Sequence, residues 1–368
     1  MGYKIFAVNP GSTSTKIALF DGEEKLFGAN VSHDADKLKE FASISQQLPY
    51  REETISRLLA EHHVDLSGVD AFVGRGGGLL GVEGGTYAVN DVLLDHAVHI
   101  ANGVPHPATL GPQLAQKYAD AYGKKAYVVN PPDTDELQDV ARVTGIKGVY
   151  RNVHLHALNL KETAIRHAQN IGKRYEDCSF IVCHIGGGVS VSAHDHGRMI
   201  DGNDIVGGEG PMAPTRCGSI PVVEILNYMR NTGAVGNAVK ALAVKTGGFV
   251  SLLGTSDARE ITARVAAGDR EAALVWDAFI YQIEKYIGAM AVVLKGKVDG
   301  ILLGGGIVHD QGLVQRITED CSFIAPVTSY PGEFEMEAMA AGVIRVLEGK
   351  EALKTYTGVP TWTGFSFS

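Results

Sequence analysis

The chain has 368 residues, which at roughly 100–200 residues per domain suggests two domains. It carries 33 Lys+Arg against 42 Asp+Glu, a formal net charge of −9, and no long basic run; nucleic acid and anionic membrane surfaces are excluded as main partners. Apolar residues make up 45% and charged residues 20%, a balance that excludes a disordered chain.

In chain order, Lys4–Val8 is a β-branched and aromatic run that meets the turn cluster Asn9-Pro10-Gly11-Ser12-Thr13-Ser14. A second run, Lys16–Phe20, ends at Asp21-Gly22, so the pair predicts a β-hairpin. Arg51–His62 and Thr109–Tyr122 have helical apolar spacing. Ala71–Val73 reads as a buried strand entering Gly74-Arg75-Gly76-Gly77-Gly78, and Ala126–Val129 as a strand stopped by Pro131-Pro132. Helices are predicted at Val222–Arg230, Asp257–Val265, Glu271–Val293 and Glu335–Leu347, the last long enough to pack back onto the first half. Gly300–Leu303 is a strand entering Gly304-Gly305-Gly306.

Sliding the chain by 175 residues lays Ile5–Gly22 over Phe180–Gly197. Both segments read strand, small-residue turn, alternating strand, turn with Gly. We read this as a duplicated domain core with a boundary near residue 150: residues 1–150 plus 340–368 in one domain, 151–339 in the other.

Cys178, Cys183, Cys217 and Cys321 make no CxxC pair, which sets aside zinc-ribbon and thioredoxin readings and fits a reducing compartment. The opening residues lack a signal-peptide core and a myristoylation pattern, and the apolar stretch Ile287–Leu294 is too short to span a bilayer. A cytoplasmic protein is expected.

Glycine is the outlier, at 45 residues, about 12% against roughly 7% in ordinary chains. It clusters in loops after strands, at 9–15, 74–78, 186–188 and 304–306. Such a loop presents backbone N–H groups to an anion, and glycine allows close approach. Walker A is absent, because no Gly-Lys pair is followed by Ser or Thr. Gly76–Gly81 matches GxGxxG, but Gly-rich, β-like sequence follows it where a helix should start. What remains is a nucleotide held between two duplicated halves, each offering a hairpin phosphate loop.

The residues Asn9–Lys16, Pro105-His106-Pro107-Ala108, Pro132-Asp133-Thr134, His184–Gly188, Gly197–Asp201, Thr215–Pro221 and Gly304–Ile307 resemble the acetokinase family. His156-Ala157-Leu158-Asn159, Gly208–Pro211 and Tyr330–Glu333 favour its butyrate kinase branch. The resemblance implies an α/β, duplicated ribonuclease H-like (actin-like ATPase) fold, two domains around a nucleotide cleft, and reversible phosphoryl transfer from ATP to a short-chain carboxylic acid with Mg²⁺. It also implies a homodimer or higher homo-oligomer.

Carried over by residue, Arg75 resembles the substrate-side arginine and Arg216 the one that stabilises charge on the phosphoryl oxygens. Asp133 resembles the cleft aspartate, placing Mg²⁺ or orienting an arginine; an ordinary turn Asp is the competing reading. Glu333 and Glu335 fall where the magnesium-linked glutamate lies, and the sequence does not choose between them. Asn9, Ser12, Ser14 and Lys16 resemble the first phosphate loop, although Lys16 also reads as an exposed strand lysine. Gly186, Gly187 and Gly188 would form the opposing loop, and Gly304, Gly305 and Gly306 would approach adenosine and the α-phosphate. His106 and His184 resemble active-site histidines, against a structural role for each. His154-x-His156 and His194-x-His196 have metal-pair spacing but no third ligand nearby; His194–Gly197 reads as a hairpin tip, and His156 resembles the branch histidine. The chain departs from acetate kinase in three ways. Arg151-Asn152-Val153 occupies the region of its transition-state histidine, Gly187 replaces an asparagine, and Gly76-Gly77 replace apolar bulk, which would open the acyl pocket to longer acids. The alternative functions are another actin-fold kinase, acting on acetate or propionate or, with Asp133 as base, on a hydroxyl acceptor, and a non-catalytic nucleotide switch.

Overall fold

In the computed structural model, residues 2–365 are described. Contacts divide the chain into two units: one runs to Asp135 and resumes at Phe334, and the other is Glu136–Glu333.

The first unit is built on β1 (Lys4–Pro10), β2 (Ser14–Asp21), β3 (Glu24–Ser32), β4 (Ala71–Gly74), β5 (Thr86–Ala88) and β6 (Lys125–Val129). The sheet order is β5-β6-β4-β1-β2-β3, with the short strand Lys354–Thr355 outside β5. Strands β1, β4 and β6 are parallel, and β2 is antiparallel to both its neighbours. Ile5, Phe6, Ala7 and Val8 are all buried, as expected of a central strand covered on both faces. The helix Leu110–Tyr122 packs on one face, and Glu335–Leu347 packs on β1, β4 and β6 as expected.

The second unit carries β7 (Ser179–Ile185), β8 (Val189–Asp195), β9 (Arg198–Gly202), β10 (Gly300–Gly305) and β11 (Val327–Pro331), ordered β11-β10-β7-β8-β9. Again β8 is antiparallel while β7, β10 and β11 are parallel. The duplication read from the sequence is therefore present in the strand order of both sheets. It extends to a register shift at Leu19/Phe20 in one outer pair and at Ala193/His194 in the other. The hairpin tip expected at His194–Gly197 is there, with His196 and Gly197 both at positive φ. Across β7 to β9 lies the helix Arg270–Val293, whose buried stripe of Val275, Phe279, Ile283 and Ile287 has the spacing of a helix face. The helix Ala157–Asn170 covers the other side, on β7 and β10. Among the described residues, no helix is long and apolar enough to cross a membrane.

The crossings fall at Asp135/Glu136 and Glu333/Phe334, ahead of the expected boundaries at 150/151 and 339/340. The reason lies in the bonds of the intervening segment. Gln138 N donates to Ile200 O at 3.0 Å. Glu136 accepts from Met199 N at 2.7 Å and pairs with Lys161 Nζ at 2.8 Å, both side chains being almost fully buried. Removing one partner of such a pair leaves an uncompensated charge in the interior. Lys161→Ala is therefore expected to cost about 3–5 kcal/mol of stability, measured by urea unfolding; a loss below about 1 kcal/mol would contradict this account.

Candidate active site

In the first unit, the turn between β1 and β2 has Gly11 N donating to Ser14 O at 2.7 Å, with Ser12 exposed and Ser14 half-buried. The turn is tied from below. Arg51, on the helix Leu48–Glu61, is fully buried and donates to Thr15 Oγ1 at 2.9 Å, to Ser14 O and to Gln47 Oε1. His33 Nε2 lies 2.8 Å from Thr15 Oγ1, and His33 N donates to Thr13 O at 2.8 Å. Burial, assisted by the charge of Arg51, lowers the His33 pKa to about 4. The sequence reading missed both supports.

Asn9 and Lys16 sit directly opposite in the β1/β2 register and so share a face. Asn9 Nδ2 donates to Glu335 Oε2 at 2.7 Å. Arg75, just beyond β4, is buried; its Nε lies 3.7 Å from Glu335 Oε1 and its Nη1 donates to Asn130 O at 3.4 Å. Thus Asn9, Arg75 and Glu335 are brought together. Asp133 is buried and accepts from Asn102 Nδ2 at 2.5 Å. His106 is exposed, and its Nδ1 accepts from Ala108 N at 3.1 Å, capping the short turn Pro107–Thr109.

In the second unit, Gly186–Gly188 join β7 to β8. His184 is buried, with Nδ1 2.9 Å from Asn159 Nδ2 and Nε2 3.7 Å from Glu333 Oε1. The two candidate glutamates therefore have different company. The His156 ring stacks on His184 at a centroid distance of 3.9 Å, and its Nδ1 lies 2.8 Å from Ser190 Oγ. Arg216 meets the same loop. A Cβ on Gly188 would stand 1.6 Å from Arg216 Nη1 and 3.1 Å from His156 Cε1. The guanidinium occupies the room a side chain would need. Its Nε and Nη1 are buried and have no hydrogen-bond partner. Burial lowers the Arg216 pKa, and the nearby charge of Asp204 opposes that.

A cavity of about 700 Å³ opens beside this loop, lined by Gly186, Gly187, Asp257, Arg259, Gly306 and Ile307 among others, a volume suited to a nucleotide-sized ligand. Of the fourth glycine cluster, 304–306, Gly306 lines it. Gly304 faces Asn159 and Thr163, and Gly305, at φ +100°, has its missing Cβ against Ile185 O. At both positions the space a side chain would need is taken by neighbouring atoms of the sheet and its covering helix. Asp257 and Arg259 went unnoticed in the sequence, where they mark only a helix start.

Among the described residues, no group of three or more His, Cys, Asp or Glu side chains could hold a metal ion by itself. Asp133 and Glu335 are separate oxygen donors, which fits a cation that arrives on phosphate oxygens and keeps much of its hydration.

The model described as "Acetokinase family" matches residues 146–322. A "Probable butyrate kinase" of Clostridium botulinum (strain Alaska E43 / Type E3) is 42% identical over 356 residues, 97% of this chain and 100% of its own. The chain belongs to the acetokinase family. "Butyrate kinase 2" of Clostridium acetobutylicum is 40% identical, over 97% of this chain and all of its own. The crystal structure of Porphyromonas gingivalis acetate kinase superposes with a TM-score of 0.77 at 19% identity, covering 94% of this chain and 100% of that one. The fold is thus the acetokinase one, with the two-sheet α/β architecture expected from the sequence.

One expectation needs correction in this family context. Gly76 and Gly77 do not open a pocket. A Cβ on Gly76 would stand 2.6 Å from Val128 Cγ1 and 2.7 Å from Pro131 Cβ, and one on Gly77 3.2 Å from Ala108 Cβ. The space is already filled, so chain-length preference must come from elsewhere. Further along from Arg151-Asn152-Val153, His156 Cε1 and Arg216 Nη1 both lie beside Gly188.

His33 supplies a pH test of the first loop. It titrates near 6.5 when unfolded and near 4 when folded. Between these values the unfolded chain binds a proton that the folded chain refuses, so this contribution to stability is lost as pH falls through that window. His33→Gln should flatten the fall of the urea midpoint between pH 7 and pH 4.5 relative to wild type; parallel curves would contradict the assignment.

Proposed function

We propose that this acetokinase is a butyrate kinase-like carboxylate kinase, catalysing ATP + butyrate, or a branched short-chain acid, ⇌ ADP + acyl phosphate. The observation that carries the reading is Arg216, a half-buried arginine whose Nε and Nη1 are shielded and unpartnered at a glycine loop beside a nucleotide-sized cavity. Leaving such groups unpaired is unfavourable, and a phosphoryl group satisfies them. The names of the relatives support butyrate as the acid.

A carboxylate with a pKa between about 4 and 5 is ionised at pH 7 and attacks phosphorus without a general base. The remaining difficulty is repulsion between the acid and the triphosphate. Arg75 would hold the acid, with Glu335 and Asn130 fixing its guanidinium. Arg216 would take the charge that develops on the equatorial phosphoryl oxygens. His156, fixed by Ser190 and stacked on His184, would present its ring beside the same oxygens, and Glu333 would orient His184. Ser12, Ser14 and the backbone of Gly186 and Gly187 would donate to phosphate, with Asn9 and Lys16 on the adjoining strand face. Asp257 and Arg259 would border the nucleoside. Mg²⁺, when bound with the nucleotide, supplies charge neutralisation, and Asp133 and Glu335 would hold it through water.

The test is acyl phosphate trapped as hydroxamate. Arg216→Ala should lose at least about 10²-fold in kcat while nucleotide binding survives, and kcat/KM should be higher for butyrate than for acetate. Near-normal turnover by the variant would overturn the role of Arg216; acetate as the better acid would overturn the substrate.

A further inference from the structure

The clamp role of Arg216 raises a question the reaction itself does not answer: what keeps this guanidinium unpaired. A buried cation with free N–H groups attracts a carboxylate, and one is close at hand. Asp204 follows Asn203, whose Nδ2 donates to Val189 O at 2.9 Å and whose Oδ1 accepts from Val191 N at 2.7 Å. These bonds fasten the Asp204 segment to the strand that leaves Gly188, where Arg216 Nη1 lies. Asp204 is nevertheless engaged elsewhere. Its Oδ1 accepts from Val206 N at 3.0 Å and lies 3.4 Å from His154 Nδ1. A Cβ on Gly207 would stand 2.5 Å from its Oδ2, so glycine there lets the backbone wrap the carboxylate. His154 is itself pinned, because Ile205 N donates to its carbonyl at 3.1 Å.

We propose that His154 holds Asp204 back from Arg216, so that the His154–Asp204 pair is a positioning device that keeps the guanidinium free for the phosphoryl group. The inference rests on the reading of Arg216 as the phosphoryl clamp. The carboxylate still acts through space: its charge offsets part of the cost of burying the guanidinium without occupying an N–H. Burial raises the Asp204 pKa, but His154 and the Val206 and Gly207 amides more than reverse this, so Asp204 is ionised at neutral pH. Of the partners of the Asp204 carboxylate among the described residues, His154 is the side chain, and the Val206 and Gly207 amides are backbone.

The experiment compares wild type, His154→Ala, His154→Asn, Asp204→Asn and the double variant His154→Ala/Asp204→Asn by hydroxamate assay, with KM for ATP and thermal midpoints measured for each. In His154→Ala the released carboxylate should capture Arg216, lowering kcat by about tenfold or more while KM for ATP moves less than about threefold. Adding Asp204→Asn should recover most of that kcat, because the competitor has lost its charge. His154→Asn, whose amide can donate from near the place of Nδ1, should stay close to wild type. A merely structural role would make the double variant no better than His154→Ala, and that result overturns the proposal, as does an unchanged kcat in His154→Ala. Wild type that forms no hydroxamate with any short acid sinks the kinase reading instead. The same proteins are then titrated with pyrophosphate, and the proposal survives only if His154→Ala weakens binding and the double variant restores it.

Discussion

A half-buried arginine, Arg216, with Nε and Nη1 shielded from solvent and not hydrogen-bonded, is the constraint on which the second half of this protein is arranged. Gly188 is glycine because the Arg216 guanidinium fills the place of its side chain. Gly248, at φ +60°, is glycine because a Cβ there would collide with Ala213 O, in the turn whose Ala213 and Arg216 backbones bond to each other. The loop is thus shaped to deliver one side chain, and its cost is tolerable only if an anion completes the site.

The duplication sharpens that point, because each unit sets an arginine against its hairpin turn. Arg51 lies beneath the first turn with its donors matched to Thr15, Ser14 and Gln47. Arg216 lies at the second with two donors unmatched. The turns differ accordingly: four residues separate the last pair of β1 and β2, Pro10 and Thr15, whereas three separate Ile185 from Val189. One copy has become scaffold for its serines. In the other, glycines stand where the first has hydroxyls, and the arginine fills the side-chain space of Gly188.

How much of this the sequence disclosed follows from burial. Central strands such as β1 and β7 are covered on both faces, read as unbroken apolar runs, and could be aligned with each other. The edge strand β3 is largely exposed and lacks that pattern. The helix Ala157–Asn170 went unread although its apolar stripe of Ala157, Leu160, Ala164 and Ala168 keeps helical spacing; the polar side chains Asn159, Lys161, Glu162 and Thr163, which a sequence pattern assigns to solvent, are buried as well, each with a partner. The glycine loops were legible as loops, but glycine alone does not tell an open site from tight packing. Gly187 meets nothing within 4 Å, whereas Gly76, Gly77 and Gly305 are pressed against neighbours. The acyl-pocket expectation failed on that distinction.

The same reasoning explains why the paired glutamates have different neighbours. In Gly332-Glu333-Phe334-Glu335 the acids are two residues apart, and composition treats them alike. The chain passes from one unit to the other between them, so Glu333 finds His184 and Glu335 finds Asn9 and Arg75. A carboxylate held by an amide and a guanidinium is fixed in direction beside Arg75. One 3.7 Å from a buried imidazole instead favours a particular ring orientation and hydrogen position. With a net charge of −9, a polyanion is held only where cations are locally concentrated and acids are kept occupied. Glu335 at Arg75 and Asp204 at His154 are two local solutions to that single requirement.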